Sequence, residues 1–266
     1  MNKYISCIKR SLYVVLVLIQ ASDLAHGSSP FSLEEIDIKS HTRNYNSLPS
    51  VDQADRDAKN CKNFDSFLLQ AGNIVKKYEA ESMFGLRLIH RHFKLGQNQV
   101  MVETYKNLEE TGPSLVTSAY PIKEAIELGA TPASWIFGPN NIQVFETTTD
   151  DAAKEGIQLA KRNPSFFDEM ESLIRKSEVQ SLVSLSINKK QSLPASENQI
   201  YLEGSFEEFN LLRNTSIVRL WDSFDKLNGT IITSWGFGGP KQVACISRCY
   251  PTMNGHKYVT NHCTML

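Results

Sequence analysis

Residues 86–105, LRLIHRHFKLGQNQVMVETY, carry a strand–turn–strand pattern. Its first half, Leu86 to Leu95, has the composition of a β-strand, and Val100 to Tyr105 has the composition of a second strand. Gly96-Gln97-Asn98 between the two halves is typical of a tight turn. We therefore expect an antiparallel β-hairpin here, and with it a fold that contains a sheet.

Helical patterns lie on both sides of this hairpin. Phe64 to Glu81 repeats apolar residues at the spacing of one helix face. Pro121 to Leu128 has proline in its first turn and Gly129 just past its end, which are helix boundary signals. A further helix is predicted from Asp150 to Arg162, entered through an acidic pair.

The rest of the chain alternates short elements. Further helix starts are predicted at Ser165 and Ser205, and further strands at Ile142 to Thr147, Val179 to Ile187, Ser216 to Leu220, Thr230 to Trp235, Gln242 to Cys249 and Lys257 to Thr260. The glycine-rich strand-to-helix turns of a nucleotide-binding parallel sheet are missing. We therefore predict one α+β domain over residues 61–266, a mainly antiparallel sheet with several short helices packed on it, after a polar extension at residues 28–60.

Residues 1–27 are predicted to be a signal peptide. A basic start is followed by the apolar run Leu12 to Ile19 (LYVVLVLI), and Ala25 and Gly27 then place small residues before a cleavage point at Ser28. The run is shorter than the roughly 20 residues that span a bilayer. The alternative is a buried N-terminal helix. Cleavage predicts a secreted or periplasmic protein.

The charge balance is close to neutral. Lys and Arg number 28, Asp and Glu number 29, and the formal net charge is −1. Proteins that bind nucleic acid through its phosphates usually carry an excess of basic residues, so the balance excludes that class. No apolar run outside the predicted signal is long enough for a transmembrane anchor. The expected partner is a protein or a small molecule that the sequence does not identify.

Several catalytic motifs are missing from the sequence. It contains no G-x-S-x-G nucleophile turn, no G-x-x-x-x-G-K-[ST] phosphate loop and no H-E-x-x-H zinc helix. The glycine-rich segment at residues 236–240 has no helix pattern behind it, so we expect a tight connection between strands. These absences exclude several enzyme classes, but not an enzyme whose residues are scattered along the chain.

The first candidate site is His90 and His92 in the predicted hairpin. Residues two apart in a strand share a face, so the two imidazoles would lie side by side. If the turn spans residues 96–99, His92 faces Glu103, and if it spans residues 96–97, His90 does. We predict these three as catalytic residues, and His90 and His92 as metal ligands with zinc as the candidate ion. The alternative is a pair of structural histidines beside the core.

The second candidate site is formed by cysteines. The predicted cleavage removes Cys7, and the four that remain are Cys61, Cys245, Cys249 and Cys263. An oxidising compartment favours at least one disulfide, for which four cysteines allow three connectivities. Cys263 is the favoured participant because a cross-link there would hold the chain end. With His256 and His262, the cluster also allows a structural zinc site or a reactive thiol.

Together these patterns predict a secreted α+β protein of unassigned activity, an interaction or effector module. The alternative is a secreted hydrolase or metal-dependent enzyme that uses the His-x-His strand site. No cofactor other than zinc is indicated. Asn214 and Asn228 begin glycosylation sequons, which matter only in a eukaryotic host.

Overall fold

The computed structural model describes residues 30–109, 112–138 and 141–188 with their side chains, and beyond them the strands at 200–205, 215–221, 231–237, 243–249, 251–252, 255–256 and 262–265. Within those later strands, side chains are described at residues 215–217 and 231–237. The predicted signal peptide and the predicted strand from Lys257 lie outside the described residues. Of the helix predicted to start at Ser205, only Ser205 is described, and it is the last residue of a strand.

The described residues contain six helices and thirteen strands. The helices are α1 Ile38–Asn46, α2 Val51–Asn60, α3 Phe64–Lys77, α4 Ile122–Glu127, α5 Asp151–Arg162 and α6 Pro164–Lys176. The strands are β1 Phe84–Leu88, β2 Gln99–Leu108, β3 Gly112–Pro121, β4 Thr131–Phe137, β5 Ile142–Thr148, β6 Val183–Ile187, β7 Ile200–Ser205, β8 Thr215–Trp221, β9 Ile231–Gly236, β10 Val243–Cys249, β11 Pro251–Thr252, β12 Gly255–His256 and β13 His262–Met265. This combination of one sheet-rich domain with helices confirms the α+β class.

Eleven of these strands form one curled, mixed sheet. Their order is β13-β10-β7-β8-β3-β2-β5-β4-β6-β1-β9. The end strand β9 also pairs with β10, which is next to the other end, so the sheet curls back on itself. The pairs β2–β5 and β7–β10 are parallel. Strands β11 and β12 form a separate two-stranded pair. No helix among the described residues is long and apolar enough to cross a membrane.

The two faces of the sheet differ in chemistry because alternate residues of each strand point to opposite sides. One face, the outer face, carries Phe84 and Leu86 of β1 and packs against Phe67 of α3 and Phe166 of α6. Burying each such side chain contributes roughly 1.5–3 kcal/mol. The opposite face, the inner face, carries polar side chains that are nevertheless buried. The outer face therefore holds the main core. The burial of polar side chains on the inner face must have a cause other than packing of the main core.

The structure differs from the sequence prediction before Cys61. The segment expected to be a polar extension forms α1 and α2, whose side chains Tyr45 and Val51 are buried. Asp37 and Ser50 cap the two helices by accepting hydrogen bonds from backbone N–H groups of Ser40 and Gln53. Most of the residues that these short helices bury are small or polar, so the apolar periodicity is weak in the sequence.

The predicted hairpin is wrong. Strand β1 ends at Leu88 and pairs with β6 and β9, whereas β2 pairs with β3 and β5. The backbone between the two strands takes partners elsewhere: Ile89 N–H donates to Leu182 O at 2.8 Å and Arg91 N–H donates to Pro49 O at 2.9 Å. Residues 89–98 therefore form an irregular connection, because distant segments compete successfully for their hydrogen bonds.

Other local predictions agree with the structure. Pro121 and Gly129 bound α4, and Gly129 adopts φ +71°, a backbone conformation that glycine accepts easily. The Asp150 side chain caps α5 by accepting from Ala152 N–H at 2.8 Å. Helix α6 begins at Pro164, one residue before the predicted start, because proline fits the first helical position.

Candidate functional site

His90 and His92 lie in the irregular connection that follows β1. Their side chains are packed together, with ring centroids 4.6 Å apart at an angle of 53°. Both are buried, with 3% and 9% of their surface exposed. The Leu88 carbonyl lies 2.8 Å from His90 Nδ1 and can only accept, so Nδ1 carries a proton and the tautomer of the neutral ring is set.

A buried ion pair lies beside His92. Arg87 Nη1 contacts Glu146 Oε2, and Glu146 Oε1 lies 3.7 Å from His92 Nε2. Arg87 and Glu146 are 8% and 6% exposed. A buried carboxylate is costly unless it is paired, and here it has a guanidinium on one oxygen and an imidazole near the other. We call Arg87, Glu146 and His92 the charged row.

An irregularity between β4 and β5 places Glu146 in the charged row. Ser134 pairs with Glu146 and Trp135 pairs with Val144, which leaves Phe145 as an extra residue on β5. Such a bulge redirects the side chains on either side of it. Phe145 stacks on Tyr45 of α1 at 6.1 Å, and the Tyr45 hydroxyl accepts a 3.1 Å hydrogen bond from His92 N–H. The bulge and α1 therefore hold the histidine connection from two sides.

Serine hydroxyls surround the charged row on the inner face. Ser184 is the partner of Arg87, Ser134 is the partner of Glu146, and Ser186 is the partner of Ser134. All three are almost fully buried. The Ser134 hydroxyl finds no hydrogen-bond partner among the described residues. A buried hydroxyl in that state is suited to a bound molecule or a water.

Glu103 lies on the same face as Glu146, but the hairpin that was predicted to place Glu103 beside a histidine does not form. In β2 Glu103 pairs with Thr148 of β5, two residues along from Glu146. Both predicted registers placed Glu103 beside a histidine through a hairpin that does not form. The carboxylate beside His92 is Glu146, and the catalytic assignment of Glu103 stays a prediction.

Among the described side chains, no group of three or more His, Cys, Asp or Glu residues is arranged to hold a metal ion. The imidazoles of His90 and His92 are adjacent, but each also has a protein contact, with the Leu88 carbonyl and with Glu146. The assignment of zinc to His90 and His92 stays a prediction.

The cysteine predictions fall largely outside what is described. Cys61 is the half-buried residue at the end of α2, packed against the main core. For Cys245, Cys249 and Cys263 the structure describes backbone and not side chains. The disulfide expected among these four residues stays a prediction.

Sequence reasoning missed Arg87, Glu146 and Ser134. A signal was present, because Arg87 is the charged residue of the apolar strand FGLRL and Glu146 is that of IQVFETT. Single charges of opposite sign in two strands that are otherwise suited to burial are consistent with a buried pair. Their pairing requires β1 and β5 to face the same interior, which the sequence does not reveal.

Comparisons with protein-family models, with curated proteins and with solved structures found no match.

Proposed function

We propose that this protein binds a small polar molecule at the inner face of its curled sheet, and that His92 exchanges a proton with the molecule while Glu146 orients the imidazole. The observation that carries the proposal is the buried charged row, Arg87–Glu146–His92. A carboxylate beside a histidine favours the protonated ring and sets its orientation, which are the requirements of a general base or acid.

Burial of the inner face supports a binding role. The helices of the main core pack on the outer face, so the inner face is shielded mainly by the curl of the sheet itself. At one end, Tyr45 of α1 and Leu95 of the histidine connection cover it and pack in one cluster with Phe145 of β5. An enclosed face lined by hydroxyls and a charged row would match a ligand with several hydrogen-bond donors and acceptors.

This proposal is closer to a hydrolase than to a metal-dependent enzyme. A carboxylate bound to a guanidinium lies beside the His92 imidazole, an arrangement that can move a proton without a metal. The competing prediction is an interaction or effector module, in which the charged row only holds the histidine connection in place. The two predictions differ in what happens when His92 is replaced.

The test compares His92→Gln with a matched control, His41→Gln. Both histidines are 9% exposed, but His41 lies on α1 and its described partner is the Val144 backbone. Ligand-observed NMR would measure the binding of a panel of small polyols, amides and nucleosides, and absorbance would follow hydrolysis of p-nitrophenyl acetate. We expect the wild type and His41→Gln to bind a panel member, and His92→Gln to lose that binding or the hydrolysis by at least tenfold.

Circular dichroism and the thermal midpoint would show that both variants are folded. Equal binding and hydrolysis by His92→Gln and the wild type would contradict the proposal. So would a folded wild type that binds no panel member at millimolar concentration and does not hydrolyse the ester. Loss of stability alone in His92→Gln would support the interaction or effector module.

Export is part of the same proposal. We propose that residues 1–27 are removed and that the protein is secreted or periplasmic, which the order of basic, apolar and small residues supports. We also propose that the sheet is mainly antiparallel, as pairs such as β1–β6 and β2–β3 support.

A further inference from the structure

The last described strand brings two cysteines to the same position in the sheet. Strand β13 pairs antiparallel with β10, and Cys245 of β10 is the direct partner of Cys263 of β13. Neighbouring pairs fix this register on both sides, with Ala244 opposite Thr264 and Ile246 opposite His262.

Direct antiparallel partners are at the right separation for a disulfide. Their α-carbons lie about 4.5 Å or about 5.5 Å apart, according to whether the pair is hydrogen-bonded. A disulfide requires an α-carbon separation of roughly 4.4–6.8 Å. Both kinds of pair meet this requirement, so the register alone places the two cysteines within reach of a disulfide.

The remaining cysteine of the cluster does not occupy an equivalent position. Cys249 is the partner of Glu203 on β7 and of Ile231 on β9. It lies four residues from Cys245 along one strand, which at about 3.3 Å per residue corresponds to roughly 13 Å. A bond from Cys249 to Cys245, or to the Cys263 opposite Cys245, would need a large movement of the backbone.

We propose that Cys245 and Cys263 form a cross-strand disulfide that fastens β13 to β10. Strand β10 also pairs with β9 and β7, and these pairs close the curled sheet. The disulfide would therefore hold the final strand against the closing strand. This selects one pairing where the sequence left three connectivities open, and it does not depend on the proposed ligand site.

The oxidant is a low-molecular-weight disulfide such as glutathione disulfide. One cysteine thiolate attacks it, forms a mixed disulfide and releases one glutathione thiolate. The second cysteine thiolate then displaces the second glutathione and forms the protein disulfide. Two protein thiols are oxidised and one glutathione disulfide is reduced to two glutathione thiols, so atoms and electrons balance.

Trypsin separates all four cysteines that the predicted mature chain contains, which makes the pairing directly measurable. Cleavage after Lys and Arg places Cys61, Cys245, Cys249 and Cys263 on the separate peptides 60–62, 242–248, 249–257 and 258–266. The purified chain would be reduced, equilibrated with glutathione disulfide, alkylated and digested without reductant. We expect mass spectrometry to show peptide 242–248 linked to peptide 258–266, and to show this link lost after reduction.

Variants provide a second measurement. We expect Cys245→Ser, Cys263→Ser and the double variant to lower the thermal midpoint of the oxidised protein by the same several degrees, because each removes the same bond. Cys249→Ser is the control, and it should keep the link between peptides 242–248 and 258–266. A link of peptide 258–266 to 249–257 or 60–62, alkylation of both Cys245 and Cys263 after oxidation, or stoichiometric zinc on these two thiols would each overturn the proposal.

Discussion

Arg87 and Glu146 show how the environment of a single residue changes its energetics. Their side chains are 10% and 8% exposed, whereas those of the pair Lys154–Asp151 on α5 are 57% and 84% exposed. Water screens the exposed pair, so that pair contributes little to stability. For the buried pair, the main cost appears when one partner is removed and the other charge is left in the interior.

Arg87→Met is therefore expected to lower the free energy of unfolding by about 3–5 kcal/mol. The double variant Arg87→Met/Glu146→Leu should recover most of that loss, because neither charge then stays buried alone. Urea denaturation would measure both, with Lys154→Met as the exposed control, for which a change below about 1 kcal/mol is expected. A double variant no more stable than Arg87→Met would contradict this account.

His41 links the stability of the fold to pH. Burial lowers the pKa of its imidazole from 6.5 to about 4, against a weaker opposing effect of the hydrogen bond to the Val144 backbone. Below the unfolded pKa, the unfolded chain binds the proton more readily than the folded chain does. The stability contribution of neutral His41 is therefore complete above pH 6.5 and is lost as pH falls toward 4.

We expect His41 to reduce the free energy of unfolding by about 2 kcal/mol between pH 7.5 and pH 5. Urea denaturation at the two pH values would measure the change for the wild type and for His41→Gln. Because other groups also titrate, the informative quantity is the difference between the two proteins. A pH dependence that is the same in both would show that His41 is not the cause.

At the scale of elements, α5 approaches the sheet so closely that one helix position has no room for a side chain. A Cβ at Gly156 would overlap Cδ1 of Ile187 on β6 and would lie 3.3 Å from Cγ of Met83. Alanine favours a helix over glycine by roughly 1 kcal/mol, but overpacking a core costs about 1–3 kcal/mol. The two effects oppose each other. We expect the cost of overpacking to be larger than the gain in helix propensity, because Ile187 is buried.

Gly156→Ala is therefore expected to lower the free energy of unfolding by about 1 kcal/mol in the wild type. In an Ile187→Val background, which removes the overlapping methyl group, the same substitution should be neutral or stabilising. Chemical denaturation of the four proteins of this cycle would test the coupling, with Glu155→Ala on the exposed side of α5 as the control. Equal effects of Gly156→Ala in both backgrounds would mean that the contact with Ile187 is not limiting.

At the scale of the whole molecule, the residues before α1 contact β4 and α6, which come much later in the chain. Trp135 Nε1 donates to the Pro30 carbonyl at 2.6 Å, and the Phe31 ring packs edge-on against Trp135 and Phe167 at 5.9 and 5.1 Å. Residues next to the predicted cleavage point are thus part of the main core. The same sheet that holds them on its outer face encloses the charged row on its inner face.

Local chemistry in the sequence was enough to predict several elements. Pro121 and Gly129 mark the limits of α4, Asp150 marks the start of α5, and Phe64 marks the start of α3. These signals work because a cap, a proline or a glycine acts on neighbouring backbone groups. The sequence also identified His90 and His92 as unusual, without identifying what surrounds them.

The tertiary structure decided the pairing of strands and the composition of the site. Strand alternation alone could not show that β1 pairs with β6 rather than with β2, because the hydrogen bonds of a strand carry no information about a distant partner. Glu146 reaches His92 only because β5 bulges at Phe145 and joins the same curled sheet as β1. The physical reason is the cost of burying a charge. A buried Arg87 guanidinium is costly without a carboxylate beside it, and only the folded sheet places Glu146 there.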